Sequence, residues 1–248
     1  MTTPLMNYVS SRSRSQRFSK ANRGFTLVEL LVVIGVMATV VACMRPALNA
    51  LTASGNFSRN SYQIAGALEE ARSYAMANNT YVYAAFTERD GINSQQAGKG
   101  RMIFVVLASK DGTRGYDAAN PTQLDPSRLT PVSMPVVITG LQVVDSTQLS
   151  GVVQRPTAPS SGRYDMGATT SATPFSSQIN GTAYTFDKVI QFDPQGVARI
   201  QTASSSDDVP VQIELGLKEM RGNTAPANAQ GSIIQVAGVS GSVRVYRQ

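Results

Sequence analysis

Few residues of this chain could do chemistry, and most of the usual constellations are missing. The 248 residues include no histidine, no tryptophan and one cysteine, Cys43. Without histidine there is no Ser-His-Asp triad, no Cys-His pair and no His-based zinc site. One cysteine cannot form an intramolecular disulfide. Calcium needs about 6–8 oxygen ligands, and the acids Glu69-Glu70, Asp90, Asp111 and Asp207-Asp208 form no D-x-[DN]-x-[DN]-G loop. They read as solvated turn or surface residues. Gly98-Lys99-Gly100 lacks the upstream glycine and downstream Ser/Thr of a phosphate loop, and a Ser-Lys pair such as Ser109-Lys110 is too common to mark catalysis. The expectation is a protein that is not an enzyme, with no cofactor and no metal.

One acid stands apart. Glu29 is the single charge in the 20 residues from Phe25 to Met44, which otherwise run Phe-Thr-Leu-Val, then Leu-Leu-Val-Val-Ile-Gly-Val-Met-Ala-Thr-Val-Val-Ala-Cys-Met. About 20 apolar residues in a helix match the ~30 Å hydrocarbon core of a bilayer. A carboxylate one turn into such a helix costs roughly 2.5–3.5 kcal/mol, so an intramembrane acid is a functional candidate. The basic residues explain the rest of the segment. Arg12, Arg14, Arg17, Lys20 and Arg23 precede it with no acid among them, while residues 25–248 hold 17 basic and 16 acidic side chains. The net charge of +6 therefore belongs to a short tail, not to a nucleic-acid-binding surface. By the positive-inside rule that tail stays in the cytoplasm and the remainder is exported. Cleavage after Gly24 would free an amine near the depth of Glu29. An ammonium and a carboxylate in lipid are each costly alone and favour each other as a pair. The pair forms more easily between staggered neighbours than within one helix, where the terminal amine points away from the fifth side chain.

Arg23-Gly24-Phe25-Thr26-Leu27-Val28-Glu29-Leu30 is very similar to the processing motif of type IV prepilins and the pseudopilins of type II secretion. The resemblance implies cleavage between Gly24 and Phe25 by a prepilin peptidase, N-methylation of Phe25, and pairing of Glu29 with the amine of an adjacent subunit. Arg45-Pro46 falls where family members often carry a helix-bending proline. The partners implied are the peptidase/methyltransferase, other pilin or pseudopilin subunits and the inner membrane. A competing motif, Val40-Val41-Ala42-Cys43, loosely resembles a lipobox. That reading makes Cys43 the lipidated anchor of a periplasmic binding module, but its apolar region would then contain Glu29. Cys43 otherwise reads as a small apolar side chain facing lipid or a neighbouring helix.

The elements that must carry this segment follow from periodicity. Ile64, Leu68, Ala71 and Ala75 recur at helical spacing and mark one apolar stripe, flanked by Tyr62 and Tyr74. Gly55 reads as a kink or stop, and Asn78-Asn79 as the exit. Beyond Asn79 the pattern changes to strands: Thr80–Thr87, Arg101–Ala108, Pro135–Thr139, Val189–Phe192, Val197–Gln201, Val209–Leu217, Ser232–Ala237 and Ser242–Tyr246. Asp193-Pro194-Gln195-Gly196 has the residues of a type I turn and should close a hairpin. Residues 150–185 hold 19 Gly, Pro, Ser or Thr in 36 positions and read as a long surface loop, and 110–134, with Asn120-Pro121 and Asp125-Pro126, is also turn-rich.

The expected fold class is α+β, a long N-terminal helix (transmembrane, then amphipathic) packed on an antiparallel β-sheet head. The expected parts are a cleaved leader 1–24, a helix 25–79 that is membrane-spanning over 25–44, and a periplasmic head 80–248. Leu68-Glu69-Glu70-Ala71-Arg72 with Asn78-Asn79, the strand and turn Ile190–Gly196, and the closing Gly241–Tyr246 resemble the GspH/FimT-type minor pseudopilins. The chain is thus expected to be a structural subunit of a type IV pilus-like or type II secretion filament. The long Gly/Ser/Thr/Pro-rich middle departs from that subgroup.

Overall fold

The computed structural model describes residues 25–116, 123–151, 153–156, 162–168, 174–179, 181–200 and 209–248, with the backbone alone over 45–54. The leader, Asn120-Pro121 and Asp207-Asp208 lie outside the described residues. Two compact units meet between Asn49 and Ala50. Helix α1 spans Leu27–Asn78, so each unit is described by itself.

In the first unit α1 begins at a cap. Thr26 Oγ1 accepts the backbone N–H of Glu29 at 3.2 Å, and the Thr26 carbonyl accepts Leu30 N–H at 3.1 Å. Thr-x-x-Glu is the capping-box spacing, and it satisfies one of the amides that every helix start leaves open. Leu27–Met44 is long and apolar enough to cross a membrane, with a mean hydropathy of 2.6.

In the second unit the amphipathic part of α1 lies on a sheet. Phe57, Ile64, Leu68, Ala71 and Ala75 are buried, so the expected stripe holds and extends about two turns towards the N-terminus. Gly55, expected to kink or stop the helix, lies inside α1. A glycine there costs about 1 kcal/mol, less than burying the stripe returns. The helix ends at Asn78, and Asn79 takes a left-handed φ of 48°, a conformation asparagine tolerates better than most residues.

Twelve strands follow among the described residues. They are β1 (Val82–Asp90), β2 (Gly100–Ser109), β3 (Leu129–Pro131), β4 (Val136–Val144), β5 (Arg163–Asp165), β6 (Phe175–Ile179), β7 (Thr182–Phe186), β8 (Lys188–Phe192), β9 (Ala198–Arg199), β10 (Gln212–Glu219), β11 (Gly231–Ala237) and β12 (Val243–Arg247). The main sheet runs β12-β11-β10-β4-β2-β1-β8-β9, with β3 joined to β2 and β5 to β10. Every pairing is antiparallel except β5 with β10. The Asp193–Gly196 turn closes the expected β8–β9 hairpin. Gly196 N–H donates to the Asp193 carbonyl at 2.8 Å, the Asp193 carboxylate accepts from Gln195 and Val197 N–H, and Gly196 supplies a φ of 80°.

Both faces of the sheet are buried. One face carries Ala84, Phe86, Phe104, Ile190, Leu215 and Ile234 in a core shared with the helix stripe. The other carries Tyr83, Ala85, Ile103, Val105 and Val189 beneath Leu124, Leu129, Phe175 and Phe186. Hence Val82–Phe86 of β1 and Met102–Ala108 of β2 read as continuous apolar runs rather than as alternations, the signature of a strand covered twice. The expected long loop 150–185 is corrected accordingly: it holds β5, β6 and most of β7. The β6–β7 hairpin hangs on Phe175 and Phe186, stacked with centroids 5.1 Å apart. The two ends of the strand order also meet. Ala198 N–H donates to the Gly238 carbonyl at 2.7 Å, and a Cβ on Gly241 would come within 2.0 Å of the Gly196 carbonyl. On the free side of β12, Val243 N–H donates to the Glu69 carboxylate at 2.7 Å, which blunts an edge otherwise open to strand addition.

Candidate processing and assembly site

The residues expected to matter cluster at the start of α1. Gly24 lies outside the described residues. Phe25 follows it, 78% exposed, ahead of the Thr26 cap. Glu29 is in the first helical turn, where a carboxylate faces the positive end of the helix dipole. Its own N–H is satisfied by Thr26, and its side chain lies on an exposed part of the helix.

Every described residue from Phe25 to Met44 is exposed, among them Leu27 at 82% and Val33 at 45%. A soluble domain does not leave such an apolar helix uncovered on all sides, because exposed apolar patches of that size mark membrane or protein contacts. The polar Thr39 within it is satisfied internally, its hydroxyl donating to the Val36 carbonyl at 2.7 Å. That local bond is the usual way a hydroxyl is accommodated in an apolar helix.

Residues 19–42 match the prokaryotic N-terminal methylation motif. The match supports a type IV prepilin-like family for this chain. The methylation motif contains Gly24, Phe25 and Glu29, and it stops short of Cys43 and Pro46. No curated protein and no solved structure matches the chain. With the motif on an uncovered apolar helix, followed along the chain by a large antiparallel sheet, the fold is α+β and pilin-like.

In the head the structure places the flagged acids in local roles. Asp90 accepts Ile92 and Asn93 N–H, and the hydrogen bond from Asn93 first, then that from Ile92, holds its carboxyl below the usual range. Asp111 accepts Arg128, Thr113 and Ser109, and the Arg128 bond is the main reason its carboxyl lies well below the ordinary carboxylate range. Among the described residues no three acids, cysteines or histidines converge as a metal would require. Glu69 and Arg72 interact at 3.4 Å, and both touch the ends of the sheet.

Two acids that sequence reading passed over, Glu88 and Glu214, are also shifted. Glu88 accepts Val143 N–H at 2.8 Å, and burial raises its carboxyl to about 6 against the opposing pull of that bond and of Lys188. Glu214 is fully buried in an ion pair with Arg155 at 2.8 Å. Glu214 in the strand pattern Gln212–Glu219 gives no sign of its partner 59 residues away. The cap at Thr26 was passed over as well, although its Thr-x-x-Glu spacing carries a signal.

Proposed function

We propose that the chain is a minor pilin or pseudopilin, a structural subunit of a type IV pilus-like or type II secretion filament. The observation that carries this reading is the methylation motif lying on an apolar helix exposed on all sides. In this reading a prepilin peptidase cuts between Gly24 and Phe25 and the new Phe25 amine is methylated. The chain then waits in the inner membrane with residues 25–44 in the bilayer and the head in the periplasm. Pro46, inside α1, bends the helix as it leaves the membrane.

Assembly uses apolar helix packing, with Glu29 setting register. A misaligned neighbour leaves the carboxylate buried and unpaired, whereas a correctly staggered one presents its Phe25 ammonium. The Thr26 cap supports this arrangement by starting the helix after Phe25, which leaves the terminus projecting towards a neighbour. The two-sided head, with its outer layer of insertions, is bulky for a uniform fibre and fits a minor component.

Glu29→Ala tests the pairing. Its insertion into the membrane should equal or exceed that of the parent, because the cost of the buried acid is gone. Its recovery in filaments assembled with partner subunits should collapse. Normal co-assembly of Glu29→Ala would contradict the pairing.

A further inference from the structure

The second face of the sheet carries two arginines directly opposite each other. Arg89 on β1 and Arg101 on β2 are cross-strand partners, so both side chains leave the face that also holds Tyr83, Ala85, Ile103 and Val105. Like charges in that relation oppose the pairing of their strands. Among the described residues no carboxylate oxygen lies within 4.0 Å of either guanidinium to offset them. A guanidinium has five N–H donors, and here most are unused. Arg89 rests on the Tyr184 ring of β7 at 5.0 Å, a contact that holds the group and takes none of its donors. Arg101 Nη2 reaches the Gly91 carbonyl only at 3.4 Å. The Nε of each arginine is buried without a partner. Both charges have lost water and neither has gained an anion.

The acids closest in sequence do not serve as that anion. Glu88 and Asp90 flank Arg89 on β1 and so point to the opposite face. Glu88 accepts Val143 N–H, and Asp90 accepts Ile92 and Asn93 N–H. Asp187, between β7 and β8, makes no ion pair with either arginine. The surface beside the pair is apolar and open. On β4, Thr139 stands opposite Arg101 and Val137 opposite Ile103, and both are exposed, Val137 at 54%. The outer layer thus stops short of these two residues, and the arginines lie at its border. Their positive charge is local, because residues 25–248 hold nearly equal numbers of basic and acidic side chains. No broad basic field of the kind that binds phosphate polymers accompanies it.

We infer that Arg89 and Arg101 form a two-armed clamp for the carboxylate of an aspartate or glutamate on a partner protein, with an apolar neighbour of that acid resting on Val137. The planar fork of arginine matches a carboxylate with two parallel hydrogen bonds. Directly opposed residues have Cβ atoms about 4.5–5.5 Å apart, so two guanidiniums there reach one carboxylate from both sides. The incoming charge removes the repulsion across the β1–β2 pair and supplies acceptors that both groups lack. Free phosphate is a poorer occupant, because it gains nothing from Val137. The clamp is therefore less stable empty than filled.

The test uses the full chain in non-ionic detergent at low ionic strength. Its probes are the capped peptides Val-Glu-Val and Val-Gln-Val and inorganic phosphate, compared at matched ionic strength. Nuclear magnetic resonance of arginine Nε–H groups reads the site, with the two signals assigned through Arg89→Gln and Arg101→Gln. Both signals should move saturably with Val-Glu-Val and respond little to the other probes. Without peptide, Arg101→Gln, which leaves Arg89 on the Tyr184 ring, should melt at or above the parent, because one of two like charges is gone. With Val-Glu-Val the parent should melt higher and Arg101→Gln should not. Arg101→Lys keeps the charge without the fork and should lose most of the peptide response. Three results would each overturn the clamp: signals that ignore Val-Glu-Val or follow Val-Gln-Val equally, a stronger response to phosphate than to Val-Glu-Val, or Arg101→Gln melting below the parent without peptide.

Discussion

Glu88 shows how one side chain gives the head a pH dependence. Its folded pKa of about 6 lies above the ordinary 4.5, so the folded state holds the proton more tightly than the unfolded chain. The resulting stability is complete below pH 4.5 and is lost as pH rises through 6. A shift of that size corresponds to about 2 kcal/mol. Glu88→Gln should abolish this part of the pH profile and melt higher than the parent at pH 7, measured by thermal unfolding between pH 4.5 and 7. A parent profile flat over that window would contradict the assignment. Neither Glu88 nor Glu214 could be singled out from the sequence, because burial depends on segments that arrive from elsewhere in the chain. Glu29 could be, because its apolar surroundings are contiguous with it.

Among the elements, helix α1 and the sheet were the most legible. The 4-3-4 spacing of Ile64, Leu68, Ala71 and Ala75 names the buried face directly, and all four are fully buried. Eight strands were visible as apolar or β-branched runs between turn residues, and the Asp-Pro-Gln-Gly turn was legible from the role of each residue. The β6–β7 hairpin was not. Ser, Thr and Gln are half of its ten strand residues, and Phe175, Tyr184 and Phe186 sit in strands of only five residues each, too short for a period to stand out from the surrounding turn composition. Two substitutions compare these layers. Leu68→Ala should destabilise the head by roughly 2–5 kcal/mol and Phe186→Ala by about 3–5 kcal/mol. Exposed Glu70→Ala should change stability by less than about 0.5 kcal/mol. Chemical unfolding of the three variants checks the order. A Phe186→Ala effect as small as that of Glu70→Ala would mean that the outer layer is not part of the core.

At the scale of the whole molecule, the membrane segment and the head meet different demands. Residues 25–44 offer apolar surface with one acid and no internal partners, as suits a helix whose contacts are lipid or other helices. The head buries both faces of its sheet and joins the two ends of its strand order, so it brings its own stability to whatever assembly it enters. In the proposed function, a self-sufficient head carries a helix whose contacts are supplied by other subunits. Intact and peptide mass analysis of the chain recovered from membranes of a cell containing a prepilin peptidase tests this most directly. The account predicts a chain that starts at Phe25 and carries one added methyl group on its amine. A chain that keeps residues 1–24 while still functioning, or one that starts at an acylated Cys43, would contradict it.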